Sequence, residues 1–304
     1  MPPTSAELRR ARPLLGTFVE IAASGGDAAR VETAIEAAFA AVETVHHLMS
    51  FHEPDSDVSR LNREAARQPV AVHPWTFEVV RAACALHERS SGVFDISIAP
   101  RLQELGLLPA TGEARPSHVT RLPGEPAVAL HDGDRIAFRD DRVRIDLGGI
   151  AKGFAVDRAL DMLREHAMAD ALVNAGGDLA CFGRGPRTIQ IRHPLDPGHI
   201  LCEVALENEA LASSAVRSVL EFAPALSDAA IIEPATGRAA EAFAGVSVRA
   251  PTCMIADALT KIVMIEGQAS SELLRLYLAG ALMVSAAGAV FASSEWDRTA
   301  LHAA

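Results

Sequence analysis

Asp146-Leu-Gly-Gly-Ile-Ala-Lys-Gly-Phe-Ala-Val-Asp157 joins two segments of different periodicity. Before it, Arg142-Val-Arg-Ile145 alternates charged and apolar residues as a half-buried strand does. After it, Ala155, Ala159, Leu160, Met162 and Leu163 recur at helical spacing through His166. A strand that ends in a glycine-rich turn opening a helix leaves backbone N–H groups and the positive end of a helix dipole facing one spot. Gly148, Gly149 and Gly153 let a ligand come close to that backbone. The pattern predicts an anionic, phosphate-bearing ligand, against the plainer reading of an ordinary strand-to-helix turn.

Lysine usage points to the same turn. Of 28 Lys plus Arg residues only two are lysines, Lys152 and Lys261. Arg serves wherever a positive charge merely has to be present, so the two exceptions call for a reason. An ammonium is a compact point charge with three donors, and it fits a tight phosphate or carboxylate pocket that a planar guanidinium would not.

Length and composition bound the rest. A chain of 304 residues, 49% hydrophobic and 22% charged, is long enough to bury a sizeable core in one large or two ordinary domains. The net charge of -11 and the absence of any basic run argue against a nucleic-acid or anionic-membrane partner, so an anionic ligand must be held locally. No stretch reaches the length of a membrane span, and no internal repeat is visible. The N-terminal segment carries Arg9, Arg10 and Arg12 but neither a signal-peptide apolar run nor a lipid-accepting Cys. It reads as a disordered leader over residues 1–11, and a cytoplasmic location is expected. Cys84, Cys181, Cys202 and Cys253 are scattered through apolar surroundings, which predicts buried thiols in a reducing compartment rather than a zinc cluster or a disulfide framework.

Along the chain, Leu14 to Ala23 is a strand candidate, and Ser24-Gly25-Gly26-Asp27 is a turn whose Asp can cap the next helix. Val31, Ile35, Ala38, Phe39, Val42, Val45 and Leu48 mark one face of a helix ending at His46 and His47, which suit its C-terminal dipole better than a metal. Residues 49–62 form an Asp- and Ser-rich loop that lacks the glycine and terminal Glu of a calcium site. A second helix is expected from Thr76 to Ser90, stopping at Gly92. In Val93-Phe-Asp-Ile-Ser-Ile-Ala-Pro100, Asp95 must point outward, cap something or be paired. From Ala110 to Pro126 the Gly, Pro and Thr content signals an irregular connection. Later strands are expected at 171–174, 188–192, 200–206, 246–249 and 281–284, with helices at 157–166, 256–265 and 270–278, an α+β pattern.

Several of these pieces occur together and in order: Met49-Ser50 with Leu61-Asn62, Gly92-Val-Phe-Asp95 followed by Pro100, the Asp146 to Asp157 turn, Asn174-Ala-Gly-Gly-Asp178, Pro234-Ala-Thr-Gly237 and Ala256-Asp-Ala-Leu259. In this the chain resembles the ApbE family over roughly residues 12 to 290. Such an ordered set is far more specific than a single glycine turn. The resemblance implies an ApbE-like α+β fold in which an FAD-binding domain over 12–304 has two α/β lobes with the flavin cleft between them. It also implies a magnesium-dependent FAD:protein FMN transferase, which attaches FMN through a phosphoester to a Thr or Ser of a flavin-acceptor protein. Carried across residue by residue, it makes Met49 a flavin contact, Asp146 and Lys152 FAD contacts, Asp178 a pocket residue, and the Gly149 carbonyl and Asp257 metal ligands.

Three departures accompany the resemblance. Where the family usually has Thr four residues after the metal-binding Asp, this chain has Lys261, with Thr260 one position earlier. Asp257 and Lys261 lie one turn apart on a helix face, so the ammonium can pair with the carboxylate and occupy the metal's place. Thr260 stays a candidate beside Asp257, as a catalytic pair around a metal, if Lys261 instead turns away into solvent. Before Pro234 the family carries His-Ile-Ile-Asp and this chain Ala230-Ile-Ile-Glu233, so a candidate proton-transfer group is missing. The aromatic Trp-Gly-Phe after Pro100 is here Leu105-Gly-Leu107. An FMN transferase is the leading reading. The alternatives are an FAD-binding protein that transfers nothing, with Lys261 standing in for the metal, and a metal-dependent FAD pyrophosphatase in which water replaces the acceptor hydroxyl.

Overall fold

The computed structural model describes residues 7–109, 126–216 and 231–296. The expected irregular connection after Ala110 and the Ala230 position lie outside these described residues. The frame is an eight-stranded, fully antiparallel sheet, β1 (Leu8–Leu14), β2 (Thr17–Ser24), β6 (Asp170–Ala175), β7 (Asp178–Phe182), β10 (Ala210–Ala215), β11 (Phe243–Ala250), β12 (Gly280–Ser285) and β13 (Val290–Ala292), in that spatial order.

Helices α1 (Ala28–Met49), α5 (Ala151–Glu165) and α6 (Cys253–Glu266) cover one face, with α5 packed between α1 and α6. Ile21, Val173, Ala212 and Val248 of the strands meet Ile35, Phe39, Phe154, Ala159, Leu259 and Ile262 of the helices in one continuous core. The alternate residues Ala22, Leu172, Leu179, Leu211 and Leu282 point to the other face, where a ribbon of β8 (Arg187–His193) and β9 (Asp196–Leu206) and the indole of Trp296 cover them. With apolar cover on both faces, central strands read as near-continuous hydrophobic runs instead of alternating ones.

Residues 50–109 and 126–147 form a smaller part against the helical face: α2 (Asp57–Glu64), α3 (Pro74–Arg89), α4 (Ala99–Glu104) and a small sheet of β3 (Val70–Ala71), β5 (Arg135–Phe138) and β4 (Val128–His131). α7 (Ser271–Leu276) follows α6. The α+β architecture is the one expected, and the cleft lies between these two parts.

Several local expectations are corrected. The leader does not extend to residue 11, because Leu8 to Ala11 pair with Ala23 to Glu20 in the β1–β2 ladder. β1 is an exposed edge strand whose arginines pair with Glu20, Glu32 and Glu36, so it carries no apolar signature. The loop after Met49 contains α2, capped by Ser56, which accepts from the Ser59 N–H at 3.0 Å. Buried Asp57 docks α2 onto α3 by accepting from His73 N–H and Thr76 Oγ1, each at 2.8 Å. Arg142 belongs to a turn, and Val143 to Ile145 join no ladder. Val143, Ile145 and Leu147 are buried as the alternation predicts, yet the partner of Ile145 is a side chain: Asn62 Nδ2 donates to its carbonyl at 2.9 Å and Asn62 Oδ1 accepts from its N–H at 2.7 Å. Asn62 thus supplies the donor and acceptor that a neighbouring strand would have supplied. Cys84 is only part-buried, while the other three cysteines are buried; all four are unpaired.

Candidate functional site

α5 begins at Ala151, four residues before the apolar periodicity becomes visible, so Lys152 and Gly153 lie in its first turn. Neither α5 nor α6 has a side-chain cap from its own N-cap residue. Each helix is capped by the other. Asp257, one turn inside α6, accepts from the Gly153 N–H at 3.0 Å; Asp157, in α5, accepts from the N–H groups of Cys253 and Met254, each at 2.8 Å. Gly153 permits this seam, since a Cβ there would stand 2.2 Å from the Cys253 carbonyl oxygen and 2.8 Å from Asp257 Cβ. The close approach that this glycine allows is therefore that of α6 and not, as its place in the turn suggests, that of a ligand.

Around the seam two ion pairs are arranged side by side. Lys152 pairs with Asp178, and Lys261 pairs with Asp257 while also donating to the Asp257 carbonyl at 3.1 Å. The β6–β7 hairpin presents Asp178: Gly176 and Gly177 take φ of +65° and +100°, and Asn174 Oδ1 holds the turn by accepting from the Gly177 N–H at 2.9 Å. The acid ends are sealed, with side chains 1% and 0% exposed for Asp178 and Asp257. The lysine side chains keep some exposure, 33% for Lys152 and 19% for Lys261, and both line the cleft. A ligand entering the cleft therefore meets cations, with the counter-charges behind them.

The electrostatics follow from that layering. Burial pushes the Asp257 carboxyl upward, but Lys261 and then Lys152 outweigh it and hold it below the ordinary carboxylate value. Asp178 goes the other way: burial, and then the charge of Asp257, push it up against the pull of Lys152. Burial opposes the charge of Lys152, yet Asp178 and Asp257 raise its pKa above the usual lysine value and it stays an ammonium. The thiol of Cys253 is raised well above its ordinary value by burial and by the neighbouring acids, and it stays protonated.

The cleft has a volume of about 340 Å³. It is lined by Phe94, Asp95 and Ile96, by Asp146, Gly148, Gly149 and Lys152, and by Lys261, Ser213 and Ser214. Burial raises the Asp146 carboxyl, which accepts from the Gly148 N–H at 3.1 Å. Asp95 caps the short turn that follows it, accepting from Ser97 N–H and Oγ, each at 2.7 Å. A second cavity of about 1060 Å³ lies between the β8–β9 ribbon and the sheet and shares Ser213, Ser214 and Ala215 with the first.

Of the residues singled out in the sequence, Asp146, Gly149, Lys152 and Lys261 line the cleft, and Asp178 and Asp257 stand behind the lysines. Thr260 is fully buried; its Oγ1 donates to the Asp257 carbonyl at 2.7 Å and bonds Ser214 Oγ at 2.8 Å. Met49 is not brought here. It completes the apolar stripe of α1 after Val42 and Val45 and is packed in the main core at 4% exposure. Ser213 and Ser214, which no motif marked, enter the site because β10 runs beneath it.

The magnesium that the resemblance implies does not fit this arrangement at Asp257. One carboxylate oxygen is held by the Lys261 ammonium, the other by the Gly153 N–H, and the Thr260 hydroxyl is engaged twice. Among the described residues no group of three or more His, Cys, Asp or Glu side chains could hold a metal ion, and no helix is long and apolar enough to cross a membrane.

Fold and site together define an α+β protein with two lysines lining one cleft, set where two reciprocally capped helices meet an antiparallel sheet. The ApbE family profile matches residues 15–282, and the chain belongs to the ApbE family. It is 27% identical over 252 residues to the FAD:protein FMN transferase of Vibrio cholerae serotype O1, spanning 75% of this chain and 71% of that one. To the FAD:protein FMN transferase of Rhodobacter capsulatus it is 25% identical over 293 residues, 93% of this chain and 56% of that one. Among solved structures, the ApbE protein of Thermotoga maritima superposes with a TM-score of 0.81 at 25% identity, covering 96% of this chain and 98% of that one. The apo flavinyl transferase ApbE of Pseudomonas stutzeri, 22% identical over 98% of both chains with a TM-score of 0.82, shares the fold.

Proposed function

We propose that this protein is an FAD:protein FMN transferase, with FAD as the donor and a Thr or Ser hydroxyl of a flavin-acceptor protein as the receiver. The observation that carries the reading is the convergence of both of the chain's lysines on one cleft, Lys152 within the glycine-turn motif that the resemblance rests on and Lys261 where that pattern usually carries Thr. Ammonium groups held by buried carboxylates are preorganised donors for a pyrophosphate, and they need no rearrangement when the ligand arrives. The cleft shares the lining residues Ser213 to Ala215 with the second cavity.

In the reaction the acceptor oxygen attacks the phosphorus on the FMN side, the P–O–P bond breaks, AMP leaves with the bond's electron pair, and the hydroxyl proton is lost. Lys152 and Lys261 neutralise charge that builds on the phosphoryl oxygens, while Asp257 acts as a positioning residue for Lys261. The test is incubation with FAD and a purified acceptor protein carrying an exposed Thr or Ser. Expected is a fluorescent flavin band that survives denaturing electrophoresis, an FMN mass increment on the acceptor and release of AMP. Release of AMP and free FMN without acceptor labelling would identify a pyrophosphatase instead.

A further inference from the structure

We propose that Lys261 is a tethered counter-cation that takes the place of a divalent ion beside the bound pyrophosphate, so that this chain binds FAD without magnesium. The inference rests on the FAD-using reading above and specifies how its site is charged.

Lys261 pairs with one of the two groups that the resemblance assigns to a metal and lies beside the residue that carries the other. Its ammonium lies on the Asp257 carboxylate, and its Cε is 3.7 Å from the point where a Cβ on Gly149 would stand. The Asp257 side chain is sealed at 0% exposure, whereas that of Lys261 is 19% exposed and lines the cleft. A metal ion could reach the carboxylate only by displacing an ammonium anchored twice, to the carboxylate and to the Asp257 carbonyl at 3.1 Å. The second carboxylate oxygen offers no easier route, because it caps α5 through the Gly153 N–H.

Charge counting leads to the same place. Lys152 and Lys261 balance Asp178 and Asp257, so the cluster is neutral as it stands. A divalent ion added to it would be set among two ammonium groups and would lose to mutual repulsion much of what it gained from one shared carboxylate. With Lys261 removed, the cluster carries one net negative charge and would repel a pyrophosphate until a cation was supplied. The use of lysine at this position, in a chain that elsewhere uses arginine, fits the replacement of a small ion. A planar guanidinium could not occupy the space between Gly149 and Asp257 as a point charge does.

The test is calorimetric titration of FAD into the native protein and into Lys261→Thr, each with EDTA and each with excess magnesium chloride. The native Kd should change by less than about threefold between the two conditions, and magnesium titrated without FAD should give no binding heat. Lys261→Thr should bind FAD about ten- to a hundredfold more weakly in EDTA and recover most of that loss in magnesium, as a charge-assisted contact replaced by a free ion predicts. Circular dichroism reports whether the variant is folded; if it is not, the native arms alone decide. A tenfold or greater gain for the native protein on adding magnesium, or a folded variant that binds as tightly as native in EDTA, would overturn the proposal. FAD that fails to bind the native protein in either condition overturns the FAD-using reading itself, and the inference with it.

Discussion

Asp157 and Asp257 cap each other's helices: each stands inside one helix and accepts from the first N–H groups of the other, Asp157 at Cys253 and Met254, Asp257 at Gly153. The N-terminal dipoles of α5 and α6 are thereby turned toward one another's acids. The lysines on the same two helices, Lys152 and Lys261, emerge beside them. The seam that holds the fold together is also what aims the cations.

The seam depends on Gly153. Replacing a helical glycine by alanine ordinarily gains about 1 kcal/mol from helix propensity. Here the added methyl would meet the Cys253 carbonyl oxygen at 2.2 Å, which is backbone and cannot swing away. Gly153→Ala is expected to lower stability by about 1–3 kcal/mol despite the propensity gain, read by urea unfolding. Gly149→Ala is the contrast. Its methyl has ordinary contacts of 3.7 Å to Lys261 and Phe94, so stability should hold while FAD affinity changes.

Asp157 gives the seam a pH dependence. Burial, outweighing the two N–H bonds it accepts, pushes its carboxyl up to about 6. The folded state therefore holds the proton more tightly than the unfolded state does. Stability from this group is fully present below the ordinary carboxylate value of about 4 and is lost as pH rises to about 6. Denaturation midpoints measured across that interval should fall with pH more steeply in the native protein than in Asp157→Asn. Parallel profiles would show that Asp157 does not titrate there.

Lys152→Ala should weaken FAD binding by about ten- to a hundredfold, the range expected when one charge-assisted hydrogen bond is lost. Lys152→Arg should restore only part of it, because the fork geometry of a guanidinium does not match an ammonium pocket backed by Asp178. Equilibrium titration of flavin fluorescence measures both, and unchanged affinity in the alanine variant would remove Lys152 from the site.

Asn62 stands in for a strand, and its removal has a defined cost. Asn62→Ala leaves the N–H and carbonyl of buried Ile145 without the partners they have at 2.7 and 2.9 Å. With about 1–3 kcal/mol for each unsatisfied group, a loss of about 2–6 kcal/mol is expected in chemical denaturation. Asn62→Asp keeps the acceptor for the Ile145 N–H but sets a carboxylate against the carbonyl, and it should be no less destabilising. Asp146 is the next residue, so FAD affinity should fall in both variants.

The sequence by itself determined the elements whose signal is periodic. The stripes of α1 and α3, the runs of β6, β8, β9, β11 and β12, and the glycine turn carrying Lys152 were legible because burial on one helix face or within a sheet imposes a repeat that neighbouring residues must obey. So was the Asp257–Lys261 pair, because a four-residue step on a helix fixes the distance without reference to the rest of the chain. Tertiary structure alone decided what depended on distant partners. β7 and β10 are short and become strands by pairing with their neighbours in the sheet, and β1 is a strand only because β2 offers it a ladder. Met49 continues a core stripe, and Ser214 lines the cleft because β10 passes there. Gly153 and Asp257, 104 positions apart, settle which helix approaches the turn. No local pattern can record such a contact, because its energy belongs to two surfaces that meet only once the sheet has brought them together.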